Sequence, residues 1–151
     1  MPAFSRIARS VLCASFALLA ACGAKESVAP APAGAAVNRL EIVELKPGSG
    51  PAIAAGQGAV VQYTGWLYEA SAVDKKGKEF DSSRNGGQPF KFVVGAGQVI
   101  KGWDQGVVGM TVGASRRLTI PADLAYGDAG AGGVIPPGAT LVFDVDLIGI
   151  E

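Results

Sequence analysis

The fold turns on five residues, Val99-Ile100-Lys101-Gly102-Trp103. They place an indole, two branched aliphatics and a glycine within little more than one helical turn. Residues three and four apart share a helical face, so Val99, Ile100 and Trp103 are expected on one side. Gly97 and Gly109 bound the stretch, which predicts a short helix. With its indole facing inward, Trp103 either plugs one end of a β-sheet or floors a pocket.

Outward from this helix the text reads as strands. Downstream, Ala114–Ile120 is stopped by Pro121, and Thr140–Leu147 alternates cleanly. In the latter, Leu141, Phe143, Val145 and Leu147 are expected to face inward, with Asp144 and Asp146 in solvent. Upstream, Ala59–Tyr68 is rich in β-branched and aromatic residues. Pro89–Val94 ends at Gly95, and Leu40–Leu45 ends at the turn Pro47-Gly48-Ser49-Gly50. Glu69–Glu79 is polar and reads as a solvated loop. About five strands at hairpin spacing need a cover for their apolar face, and the Trp103 helix is the amphipathic helix at hand. The expected fold is α+β, a curled antiparallel β-sheet wrapped around one short α-helix.

Composition removes several functions. The chain has 151 residues, 13 basic and 13 acidic, and no histidine. No basic stripe suggests nucleic acid. Without histidine, Ser-His-Asp and Cys-His catalysis are closed. The acids are scattered, so no metal site is expected. Gly95-Ala96-Gly97 lacks the third glycine of a dinucleotide site, and the Gly130–Gly133 loop lacks the Lys-Ser/Thr of a phosphate loop. No cofactor is expected. What remains is aromatic: Phe80, Phe90 and Tyr126 sit beside turns, where they are better placed to line a cavity mouth than to fill a core.

The N-terminus carries an address. Arg6 and Arg9 precede the apolar run Val11–Ala21, which is too short to span a bilayer and suits a signal peptide over residues 1–21. Leu19-Ala20-Ala21-Cys22 resembles a bacterial lipobox, with Cys22 the lipidated residue; the alternative is an ordinary secretory signal cut after Ala21 or slightly later, with Cys22 incidental. Cleavage would leave a net charge of −2. Residues 22–37, with Ala29-Pro30-Ala31-Pro32-Ala33, read as an extended tether. The folded domain is expected over 38–151. The implied location is the cell envelope, in the periplasm, with an outer-membrane anchor if the cell is Gram-negative.

Motif order adds what composition lacks. Val61-Gln62-Tyr63-Thr64-Gly65, Phe80-Asp81-Ser82-Ser83-Arg84, Pro89-Phe90-Lys91-Phe92, Val99–Trp103, Leu124-Ala125-Tyr126-Gly127, Ile135-Pro136-Pro137 and Leu141–Val145 occur in this sequence. Their order resembles the FKBP-type peptidyl-prolyl cis-trans isomerases across residues 38–151. The resemblance implies rotation about X-Pro bonds in an apolar basin. It puts Trp103 at the floor, with Tyr63, Phe90, Val99, Ile100 and Phe143 as walls and Phe80 beside the proline ring. Ile135 would sit on the loop rim. The Tyr126 hydroxyl and the Ile100 N–H would donate to substrate carbonyls, and Asp81 would bond near Tyr63. Implied partners are proline-containing polypeptides and the family's macrolide inhibitors, on a monomeric protein. A peptide-binding holdase with incidental turnover is the alternative. Two departures stand out: a longer Tyr63–Phe80 stretch, and Ala131-Gly132 on the rim where some members carry His-Pro.

Overall fold

The computed structural model describes residues 37–151, so Cys22 and the signal segment, with all of the tether but Val37, lie outside the described residues. Six strands make one antiparallel sheet: β1 (Glu41–Lys46), β2 (Gly58–Tyr68), β3 (Lys76–Ser82), β4 (Phe90–Val93), β5 (Ser115–Ile120) and β6 (Leu141–Ile150). Their order is β1-β5-β6-β2-β3, and β4 also pairs with β2. Two short α-helices interrupt them, α1 (Ser83–Gly86) and α2 (Lys101–Gly106).

The strand beyond the expected five is β3, which lies partly in the stretch read as a solvated loop. It has no clean apolar alternation, so hydropathy does not mark it. Its place comes from cross-strand contacts. Lys76 stands over the Trp66 ring at 4.1 Å, a cation–π contact, and donates to Asp144 at 2.6 Å. The chain enters β3 through Asp74 and Lys75, both at positive φ (56° and 60°), the backbone of a primed hairpin turn.

Strand β2 is the axis of the sheet. One edge pairs with β6 from Ala59↔Ile150 to Leu67↔Leu141. The other edge is shared: β4 takes Gly58–Val61, and β3 takes the stretch from Thr64 to Tyr68. Tyr63 falls in the gap between those partners. Its backbone is satisfied by side chains instead: its N–H donates to Ser83 Oγ at 2.9 Å, and its C=O accepts from Ser82 Oγ at 3.1 Å. An unpaired buried backbone group would cost roughly 1–3 kcal/mol, so the two serines offset a real penalty.

Helix α2 begins later than expected. Ile100 precedes it with extended backbone (φ −59°, ψ 149°), so Val99 and Ile100 do not share a helical face with Trp103. The approach is held by the helix itself: the Asp104 carboxylate accepts from the N–H groups of Gly95 (2.8 Å) and Gly97 (3.1 Å). Gly97 sits at φ +71°, where a side chain would be strained. Helix α2 lies on β5 through glycine. A Cβ on Gly102 would stand 2.4 Å from Ile120, and one on Gly106 2.6 Å from Leu118. At its far end, Arg116 donates to the carbonyls of Gly106 (2.8 Å) and Val108 (3.1 Å), a cationic cap on the last turn.

The core lies between α2 and the inner sheet face, with Val61, Leu118, Ile120, Val145 and Leu147 almost fully buried beside Trp103. The outer face differs from the expectation that Asp144 and Asp146 are simply solvated. Asp144 accepts from Lys76 and, bidentately, from Arg117 at 2.7 and 3.0 Å, and Asp146 bonds Arg84 and Ser115. Burial alone would raise the Asp144 pKa. Hydrogen bonds and charge from Arg117 and Lys76 outweigh it and hold the carboxyl below the ordinary carboxylate range.

Candidate functional site

A cavity of about 170 Å³ opens between α2 and the curled sheet. An apolar cavity of roughly 150 Å³ takes one benzene-sized ring, so this one suits a single small ring. Its lining comes from separate parts of the chain: Tyr63 from β2, Phe80 and Asp81 from β3, Phe90 from β4, Gln98, Val99 and Ile100 from the approach to α2, Trp103 from α2, Tyr126 from the loop after β5, and Phe143 from β6. The sequence-derived candidates therefore converge, with the exception of Ile135. That side chain is buried in the core and does not line the cavity. Its backbone accepts from the Ala131 N–H and donates to the Ala131 carbonyl (3.0 Å each), which closes the loop over a side chain only 6% exposed.

The aromatic rings hold one another by edge-to-face contact. Trp103 meets Tyr63 at 5.0 Å and Phe143 at 5.3 Å between centroids, and Phe80 meets Phe143 at 5.6 Å. Such pairs contribute about 0.5–1.5 kcal/mol each beyond area burial and fix ring orientation. Gly65 makes the approach possible: a Cβ there would lie 2.7 Å from Phe143 and 2.8 Å from Phe80.

Polar groups are few and divide into committed and free. The Tyr63 hydroxyl donates to Asp81 Oδ2 at 2.5 Å. Burial, then the hydrogen bond and charge of Asp81, push the phenol far above its ordinary value, so it stays neutral. One short stretch, Asp81-Ser82-Ser83, thus grips Tyr63 by both its phenol and its backbone. In contrast, the Ile100 N–H and the Tyr126 hydroxyl have no protein acceptor among the described residues. The Tyr126 side chain is 40% exposed at the mouth. Trp103 Nε1 is buried without a hydrogen-bond partner among the described residues.

Several contributors were not singled out from sequence. Gln98 stands one position before the quoted motif. Ser82 and Ser83 act across about twenty residues, which no local pattern reveals. Gly102 and Gly106 carried a usable signal: two glycines four apart share one helical face.

The cavity has room for one small ring, and its lining combines aromatic side chains with two donors, the Ile100 N–H and the Tyr126 hydroxyl, that no protein group takes up among the described residues. The model for the FKBP-type peptidyl-prolyl cis-trans isomerases matches residues 50–148, and the chain belongs to that family. It is 52% identical over 109 residues to FK506-binding protein 1 of Dictyostelium discoideum, covering 72% of this chain and 95% of that one. It is 48% identical over 112 residues to an FK506-binding protein of Neisseria meningitidis, covering 74% and 96%. The crystal structure of a peptidyl-prolyl cis-trans isomerase from Pseudomonas syringae superposes with a TM-score of 0.62 at 39% identity, over 77% of this chain and 78% of that one. The chain is thus an enzyme of the peptidyl-prolyl isomerase class.

Proposed function

We propose that this chain accelerates rotation about X-Pro bonds of exported polypeptides, with the proline ring seated on Trp103. The observation that carries the reading is a one-ring cavity, walled mainly by aromatic side chains, that also presents uncommitted donors. Phe80, Phe90, Val99, Ile100 and Phe143 surround the ring. Isomerisation breaks no bond; its barrier, about 18–20 kcal/mol, is lost amide resonance. The planar amide is more polar than the twisted one, so an apolar site favours the twisted transition state relative to water. Each 1.36 kcal/mol of that preference is about tenfold in rate. The Ile100 N–H and the Tyr126 hydroxyl hold flanking carbonyls while the bond turns. Asp81 keeps Tyr63 in place as a wall. No proton is transferred, so the lack of histidine is no obstacle.

Export is supported by the Arg6/Arg9 start, the Val11–Ala21 run and Cys22 at the lipobox position. Anchored through Cys22, the domain works in the envelope on a tether of Ala-Pro repeats. The activity is tested with a proline-limited refolding assay on the wild type, Asp81→Ala and Phe90→Ala, with folding checked by thermal unfolding. Loss in both folded variants supports the reading, and wild-type rates in both sink it. Retention of client protection without rate acceleration would instead favour a holdase. The anchor is tested by Cys22→Ala, expected to move the protein from the membrane to the soluble fraction.

A further inference from the structure

We infer that Gln98 is a specificity-determining residue, whose carboxamide donates to the polypeptide beside the proline and favours acceptor-bearing residues there over basic ones. This rests on reading the cavity as an X-Pro site. Gln98 lines the cavity and is exposed at its mouth. Its Oε1 accepts from the N–H of Val93, the last residue of β4, at 2.8 Å. A backbone N–H can only donate, so the oxygen must face Val93 and the amide nitrogen must face elsewhere. Nε2 has no protein acceptor among the described residues. The side chain is therefore oriented by one end and left with a free donor at the other.

Its position makes that donor part of a set. Gln98 is two residues before Ile100, whose N–H is also free, and both border the same opening as the Tyr126 hydroxyl. The segment carrying Gln98 is fastened twice, by its own bond to Val93 and by Asp104 to Gly95 and Gly97. A donor on a fastened segment loses little freedom when a ligand arrives. A ring in the cavity leaves its flanking residues at the mouth, where a carboxamide N–H₂ bonds a carboxylate, an amide oxygen or a backbone carbonyl. That nitrogen offers no acceptor to an ammonium or guanidinium group, and Oε1 is held toward Val93 with one of its two lone pairs already taken. The bias falls on substrate choice rather than on the barrier to rotation.

Gln98→Glu separates this role from a structural one. A carboxylate still accepts the Val93 N–H, so the segment stays fastened while the donor is lost, but it adds a charge that by itself draws Lys; Gln98→Met lacks the donor and adds no charge. Two peptide series are assayed with the wild type and both variants, carrying Glu, Ala or Lys immediately before the proline in one and immediately after it in the other. In one series, the Glu-to-Lys ratio of kcat/KM is expected to fall in both variants, by about three- to tenfold in Gln98→Met, the range of one hydrogen bond at an exposed site. A fall in Gln98→Glu alone is an effect of charge and overturns the proposal. The Ala peptides are expected to change less than either. A uniform change across both series, or no change in either, overturns the proposal. Dissociation constants read by intrinsic tryptophan fluorescence provide a second measure. If the wild type binds these peptides without isomerising them, the proposed activity fails while the Kd ratios still decide the role of Gln98.

Discussion

Gly102→Ala probes what sets the height of the cavity floor. A Cβ at this position would lie 2.4 Å from Ile120 Cγ2 and 2.8 Å from Ile120 Cδ1. Carbon atoms rest at about 3.5–4.0 Å, so α2 and β5 must separate locally by roughly 1 Å, or Ile120 must leave its rotamer. Ile120 is fully buried in a close-packed core and has little room to turn. Overpacking of this kind costs about 1–3 kcal/mol. Alanine would return at most about 1 kcal/mol of helix propensity, and less in the first turn. The net expectation is a loss of about 1–2 kcal/mol, within the 5–15 kcal/mol typical of a domain, so the protein still folds.

Activity should report the same movement. Trp103 follows Gly102 on α2, so lifting the helix lifts the indole into a cavity of only about 170 Å³. A tenfold fall in kcat/KM needs only about 1.4 kcal/mol of lost transition-state preference, and that is the expected scale. Urea unfolding should show a lower midpoint at unchanged slope. A cycle with Ile120→Ala isolates the contact: that change removes Cγ1, Cγ2 and Cδ1, so Gly102→Ala should be less harmful in its presence by at least about 1 kcal/mol. If Gly102→Ala matches the wild type in stability and kcat/KM, or if the two changes are additive, backbone contact does not set the floor.

Gly65→Ala forces Phe143 or Phe80 inward, because its Cβ would lie under 3 Å from both rings; kcat/KM in the peptide assay should fall about tenfold, with a smaller effect on thermal stability. Asp104→Ala frees the Gly95 and Gly97 N–H groups, so hydrogen exchange at residues 95–100 should rise, and KM should rise with little change in kcat. Asp144→Asn should destabilise by about 1–3 kcal/mol near neutral pH, since it weakens a half-buried carboxylate's bonds to two cations. Because the folded carboxyl is held low, its contribution is full above the unfolded value near 3.9 and is lost as pH falls through the folded one. The stability gap should therefore close in acid, and a gap that persists unchanged at pH 2 would contradict this linkage.

What the sequence made legible was set by the range of each interaction. Strand β6 is readable because alternation is local: Leu141, Phe143, Val145 and Leu147 share one face whatever the rest of the chain does. Strand β3 is not, since its membership depends on Asp144 and Trp66, which belong to other strands. Residue spacing places the Trp103 helix but starts it before Lys101. Spacing alone cannot show that Asp104 reaches back to hold Gly95 and Gly97, with Val99 at a bend and Ile100 extended. Most cavity residues came from motif order, which carries three-dimensional information that periodicity lacks. Ile135 shows the limit of that route: motif order gives its place in the chain, but not that its side chain is buried in the core.

The two faces of the sheet depend on one register. Phe143 and Asp144 are adjacent on β6, one a wall of the cavity and the other the centre of the outer ion pairs. Tyr63 and Thr64 divide between the faces in the same way on β2, opposite Val145 and Asp144. A slip of one residue between β2 and β6 would exchange every such pair, burying carboxylates and exposing rings. Asp144 binds Arg117 of β5 and Lys76 of β3, so the outer face ties three strands at the level where Phe143 enters the site. Surface ion pairs are usually worth little, but here the partners are mostly buried and each bond crosses between strands. The polar outer face therefore fixes the apolar cavity from behind. The acids in β6, which look like mere solvent-facing alternation, help keep Tyr63 and Phe143 around the same ring.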